Sequence, residues 1–150
     1  MRLSVLLRID TITLSLVNRD KDGVIEELVD LAMKSDMVKN RSTALQAVLE
    51  REKLGSTGLE RGVAVPHAKT KAVDDLVMAL GISKEGLDFN AHDKKPSHLF
   101  FLLLAPEAAA GPNVKVLAQI ARLTSNPDFC TSLLGVRSPK EALQMIKDAE

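Results

Sequence analysis

Tryptophan and tyrosine are absent from these 150 residues and phenylalanine occurs only four times. Such a chain has no stacking platform for single-stranded nucleic acid. Cys130 is the single cysteine, which excludes an internal disulfide and fits a reducing cytoplasm. Long apolar runs are missing too: the longest, Leu99 to Ala105, falls far short of the roughly 20 residues a membrane-spanning helix needs. The N-terminal Met1–Leu7 stretch is followed by Arg8 and Asp10 and has no small-residue cleavage site, so it does not read as a signal peptide. Nor does charge of one sign dominate. Lys and Arg total 20 against 20 Asp and Glu, and that balance argues against nucleic acid or an acidic membrane as a general partner.

What is present describes a folded domain. The hydrophobic fraction is 45% and the charged fraction 27%, and the length suits one domain over residues 1–150 with a real core. No repeat, linker or low-complexity stretch interrupts it. Ile12, Leu14 and Leu16 alternate with Thr and Ser, which predicts an early strand with one buried face. Asp20 is placed to cap a helix that buries Val24, Leu28, Leu31 and Ile25, Val29, Ala32. A second helix is expected from about Arg41, with Leu45, Val48 and Leu49 inward and Gly55 as its stop.

The middle of the chain changes character. Val63-Ala64-Val65 runs into Pro66, and Leu76 to Ile82 and Leu99 to Ala105 are nearly continuous apolar runs of the kind found in strands covered on both faces. Lys84-Glu85-Gly86 and Asp93-Lys94-Lys95-Pro96 read as the polar connections. Pro112 opens a predicted helix burying Val114, Leu117, Ala118 and Ala121. Asn126-Pro127 opens a short one closed by Gly135, and Ser138-Pro139-Lys140-Glu141 is a capping-box pattern before Leu143 and Ile146. Met33, Met37, Met78 and Met145 read as core. The expected class is α/β: a mixed, largely parallel β-sheet sandwiched between α-helices in a single domain.

The segment richest in chemistry is Arg51-Glu52-Lys53-Leu54-Gly55-Ser56-Thr57-Gly58, with His67 nine residues further on. A strand running into Pro66 would set His67 on a fixed, partly exposed edge, with Ala68 leaving room beside the ring. The Gly-Ser-Thr-Gly turn offers backbone N–H groups and hydroxyls of the kind that cradle phosphate oxygens. It lacks the Gly-Lys-Ser/Thr ending that binds nucleotide phosphates and magnesium, so no nucleotide and no other cofactor is expected.

Glu50 to Leu59, followed by Gly62-Val63-Ala64-Val65-Pro66-His67-Ala68-Lys69, closely resembles the EIIA domain of the fructose, mannitol and nitrogen-regulatory type, part of the bacterial phosphoenolpyruvate-dependent phosphotransferase system. The likeness extends through Ser83 to Phe89 and into Leu117 to Leu123, covering nearly the whole chain. It implies that His67 accepts a phosphoryl group on Nε2 from a phosphorylated HPr-like protein and, in a sugar-transport member, passes it to a cysteine of an EIIB domain. Arg51 matches the family's active-site arginine, whose planar fork suits phosphate oxygens. Thr57 and Ser56 are the expected hydroxyl contacts, with Gly58 in the phosphate environment. Glu52 and Lys53 are expected on the solvated face.

Two departures stand out. Many family members carry a second active-site histidine where this sequence has Asn113, which can donate an amide hydrogen bond but cannot become cationic. Glu60-Arg61 replaces a glycine and a small or polar residue. Arg61 reads either as a cation leaning over the site or as half of a surface ion pair with its neighbour. His92 and His98 have no recognisable metal-ligand spacing, so no metal is expected, and Cys130 sits at apolar helical spacing with Phe129 and Leu133.

The leading functional expectation is therefore a cytoplasmic phosphocarrier of sugar uptake, with EIIB and the permease on separate chains. The second is a nitrogen-regulatory protein whose phosphorylation state controls docking to target proteins. A small hydrolase using His67 as a general base lacks a nucleophile-and-acid constellation.

Overall fold

The structure, a computed structural model, describes residues 2–108 and 111–150. In chain order its elements are α1 (Leu3–Leu6), a 3-10 turn (Ile9–Thr11), β1 (Ile12–Thr13), α2 (Lys21–Met33), α3 (Arg41–Lys53), β2 (Val63–Ala64), β3 (His67–Lys69), β4 (Val77–Leu87), β5 (Ser97–Ala105), α4 (Gly111–Thr124), α5 (Pro127–Leu134) and α6 (Pro139–Ala149). The two apolar runs of the sequence form β4 and β5, an antiparallel pair at the centre of the sheet. β1 adds in parallel beside β4, and β2 and β3 add in parallel along the far edge of β5. The sheet is mixed and mostly parallel in its pairings, as the sequence predicts.

β5 shows why both faces must be covered. Leu99, Phe101 and Leu103 pack with Val116, Ile120, Leu133 and Ile146 on one side. Phe100, Leu102 and Leu104 pack with Val24, Ile25, Leu28 and Val48 on the other. Full burial of such a side chain is worth about 1.5–3 kcal/mol, so β5 is fixed from both sides. The short edge strands take their place from it. Pro66 has no N–H to give, yet the register passes through it unchanged: Val63 lies opposite Leu99 and His67 opposite Leu103. The Pro66 carbonyl still accepts from Leu103 N–H at 3.1 Å. Proline here divides the edge into two short strands without releasing it.

The helix ends follow their capping residues. Asp20, Asn40, Asn126 and Ser138 each accept a backbone N–H of the first turn. Several expectations need correction. β1 covers two residues only; Leu14 and Leu16 continue beyond it half-buried. Lys84-Glu85-Gly86 is no connection but the outer half of β4, which runs on past a register shift to Leu87. Gly86 takes φ +79° there, and a Cβ on it would lie 2.7 Å from the His98 ring, so that ring closes the bulge. α3 ends at Lys53 with Leu54 as its cap, one residue before Gly55. Met37 is exposed.

α4 buries a different stripe from the one predicted. Asn113, Val116, Ile120 and Leu123 face the core, while Val114 is 64% exposed and Ala118 and Ala121 face solvent. Two apolar stripes compete on this helix, and the one carrying Ile120 and Leu123 buries more surface than one relying on two alanines. This rotation turns Asn113 inward.

Candidate functional site

His67 begins β3, the segment that Pro66 sets on the edge of β5. Its ring is half-buried, and Nδ1 lies 2.7 Å from the carbonyl oxygen of Val65. A carbonyl oxygen only accepts, so this contact places a proton on Nδ1. In the neutral ring Nε2 then carries the lone pair. Val65 is itself held, its N–H donating to Thr57 O at 3.0 Å.

The ring lines an open cleft of about 610 Å³ whose walls come from three places. Ala47, Glu50, Arg51 and Leu54 form one face at the end of α3, β3 supplies His67 to Lys69, and Glu107 and Asn113 close the other side. Arg51 reaches back through Nη1 to Gly55 O at 2.9 Å, a cation set on the carbonyl end of its own helix. Asn113, in the first turn of α4, is 7% exposed, and its Oδ1 is buried without a hydrogen-bond partner among the described residues. The cations Arg51 and Lys69 line the cleft together with the carboxylates Glu50 and Glu107, so bulk charge does not favour an anion there. Any preference for phosphate must come from how individual donors are aimed.

Cleft size alone does not mark the site. A groove of about 560 Å³ between α5 and α6 is lined by Asp128, Phe129, Glu141 and Met145 among others and contains no histidine or cysteine.

The structure brings His67, Arg51 and Asn113 together. It places the other expected residues elsewhere. Thr57 is 4% exposed, and its hydroxyl donates to Glu52 Oε1 at 2.5 Å. Ser56 Oγ donates to Phe89 O at 2.9 Å and accepts from Gly58 N–H at 3.0 Å. Gly58 is packed so tightly that a Cβ would lie 2.9 Å from Ala91 Cα. The Gly-Ser-Thr-Gly turn thus spends these hydroxyls and N–H groups on its own support rather than offering them to the cleft.

Arg61 does not lean over His67. It lines a separate depression with Leu59, His92, Thr124 and Ser125, and its N–H donates to Asp93 Oδ2 at 3.2 Å. Asp93 is held below the usual carboxylate range, first by the Lys95 N–H and further by that of Arg61. His92 is exposed, His98 is tied through Nδ1 to Ser83 O at 2.9 Å, and no metal-binding cluster occurs among the described residues. Cys130 is buried and its thiol is pushed up by desolvation, with Sγ donating to Thr124 O at 3.3 Å.

Glu52 overturns the solvated-face expectation. It is 8% exposed; Oε2 accepts from Thr57 N–H at 2.8 Å and lies 2.7 Å from Lys21 Nζ. Lys21 in turn sits 4.8 Å from the centroid of the Phe89 ring. A signal for this was present: Ala44, Val48 and Glu52 continue one buried stripe at four-residue spacing. Its charged partner Lys21 lies on another helix, and that hides the ion pair.

A family model described as the phosphoenolpyruvate-dependent sugar phosphotransferase system, EIIA 2, matches residues 5–149. The chain is 37% identical over 142 residues to the fructose-specific EIIA component of Haloferax volcanii, covering 95% of this chain and 92% of that one. It is 33% identical over 146 residues to the fructose-specific EIIABC component of Bacillus subtilis, covering 97% of this chain but only 23% of that longer protein. Among solved structures, nitrogen regulatory protein IIA-Ntr from Neisseria meningitidis superposes with a TM-score of 0.89 at 32% identity, covering 96% of this chain and 98% of that one.

Proposed function

The chain belongs to the EIIA type-2 family of the phosphoenolpyruvate-dependent sugar phosphotransferase system, and on that premise we propose that His67 carries a phosphoryl group between protein partners. The observation that carries this reading is the hydrogen bond from Nδ1–H to Val65 O, which leaves Nε2 as the nucleophile. Nε2 attacks the phosphorus of a phosphorylated HPr-like protein. One N–P bond forms as the donor's N–P bond breaks, and the donor's imidazole leaves with its electron pair. In the second transfer a cysteine thiolate of an EIIB domain forms a P–S bond as the Nε2–P bond breaks, and the electron pair returns to Nε2, leaving His67 neutral with its proton on Nδ1.

Little covalent chemistry is left for the rest of the site. Its work is alignment and charge neutralisation. Arg51 offers its fork to the phosphoryl oxygens, and Asn113 supplies an amide donor from the opposite wall. Thr57, Ser56 and Gly58 support the turn beneath rather than touching phosphate. Leu54 and Val114, 85% and 64% exposed, provide apolar surface on which a partner can dock. A cytoplasmic location goes with this role; no helix among the described residues is long and apolar enough to cross a membrane.

A destination in sugar uptake is supported by the fructose-specific relatives, one of which is named as a joined EIIABC component. The likeness to IIA-Ntr over nearly the whole of both chains supports a second reading, control of target proteins through phosphorylation state. Incubation with phosphoenolpyruvate, enzyme I and HPr should give an acid-labile phosphate that His67→Ala abolishes. Chase of that label into EIIB domains supports uptake; retention, with docking to another protein changed by phosphorylation, supports regulation. No labelling by HPr from several sources would sink both.

A further inference from the structure

Beneath the His67 cleft lies a polar cluster that the phosphoryl chemistry leaves unused. The Glu52 carboxylate takes Thr57 N–H at 2.8 Å, Thr57 Oγ1–H at 2.5 Å and Lys21 Nζ at 2.7 Å. Buried carboxylates are rare unless paired, and this one is saturated with donors. The contacts continue toward the site. Thr57 O accepts from Val65 N–H at 3.0 Å, and Val65 O accepts from the His67 ring at 2.7 Å. A series of hydrogen bonds, joined through the backbones of Thr57 and Val65, therefore runs from Lys21 and Glu52 to His67.

We propose that Glu52 is a positioning residue for His67, fixing Thr57 so that the Val65 carbonyl holds the ring with its proton on Nδ1 and its Nε2 lone pair toward the cleft. This role rests on the reading of His67 as phosphoryl acceptor. The physical need is clear. In an unconstrained imidazole side chain the proton prefers Nε2, the wrong nitrogen for the transfer. Which nitrogen carries it is set by the bond the ring makes. Pro66 has no N–H, so the ladder is interrupted where the Val65 carbonyl must be held, and Thr57 supplies an anchor just before that gap. Lys21 secures the carboxylate from α2, with its ammonium over Phe89, so the anchor is tied to the core rather than to the loop alone.

Nitrogen-15 NMR of the imidazole in the intact protein, at a pH where the ring is neutral, reads the tautomer; phospho-HPr reads the rate of phosphoryl acceptance. The parent ring should be mainly Nδ1–H. Glu52→Gln turns an amide N–H toward existing donors, and Thr57→Val removes one hydroxyl. Both should move the ring toward Nε2–H and slow acceptance by about 10- to 100-fold, the scale on which a small misalignment costs rate. Thr57→Ser, which keeps the hydroxyl, should restore both readouts. Variants that keep the parent's tautomer, whether or not they lose rate, would overturn the proposal. If Glu52→Gln does not fold, the Thr57 pair decides the question. If phospho-HPr never labels the parent, the phosphocarrier reading fails, while the tautomer comparison still tests the positioning role.

Discussion

The two walls of the His67 cleft are built differently. At the end of α3 and in the turn beneath it polar groups are partnered: Arg51 on Gly55 O, Thr57 and Lys21 on Glu52, Ser56 on Phe89 O. At the start of α4, Asn113 is turned into the protein with a buried oxygen that has no partner among the described residues. The first wall is preorganised, and its cost of ordering is met during folding. The second keeps a polar group in hand at some expense of stability, as sites that meet a transient ligand commonly do. His67 is attached to the first wall through Val65 and Thr57.

Removing the keystone of the first wall should have the largest effect. Glu52→Ala leaves Lys21 and the Thr57 donors without their acceptor, and breaking a buried pair costs about 3–5 kcal/mol. The thermal midpoint should fall by roughly 10 °C for a chain of this size. An unchanged midpoint would erase the contrast between the walls. Next comes Arg51→Gln, which removes a charge-stabilising donor while leaving the fold intact. Phosphoryl acceptance from phospho-HPr should drop about 100-fold, measured as an initial rate.

Asn113→Leu should act in the opposite direction on stability. Replacing an unsatisfied buried amide by an apolar side chain of similar size should raise the midpoint by about 2–4 °C, equivalent to about 1 kcal/mol. It should also shorten the lifetime of the phosphorylated protein. A fall in midpoint would show that Asn113 is as well satisfied as the opposite wall.

The smallest effect is a control remote from both walls. Burial works against ionisation of Glu150, but hydrogen bonds from Ser4 and Leu3 outweigh it and hold its carboxyl below the usual range. A depressed folded pKa means stability that is present above the unfolded value, about 4.3, and lost as pH falls through the folded one. Glu150→Gln should lower the midpoint by about 1–2 °C at pH 7, a small figure because the group is partly screened, and the difference should vanish in acid.

Much of this was legible in the sequence because local patterns decide it. The α2 stripe, its Asp20 cap, the two buried strands and the placement of His67 after Pro66 follow from spacing alone. What the sequence hides depends on partners on other elements. Glu52 lies inward because Lys21 of α2 pairs with it beside Thr57, and Ser56 turns its hydroxyl to the carbonyl of Phe89. Asn113 lines the cleft from a helix whose buried face lies one stripe away from the one that spacing suggests. Sequence distance leaves Arg61 either over His67 or in a surface ion pair; the chain carries it to a separate depression beside His92. Sequence spacing reports which face a residue shares, and only the fold reports what lies opposite.

Phosphoryl transfer through His67 requires the group to sit on one defined atom, Nε2. Phosphorus-31 and nitrogen-15 NMR of the labelled protein, after reaction with phosphoenolpyruvate, enzyme I and HPr, addresses that directly. One phosphoryl group per chain on His67 Nε2, absent from His67→Gln, is the predicted result. Phosphate on Nδ1, or label that survives the substitution, would contradict it.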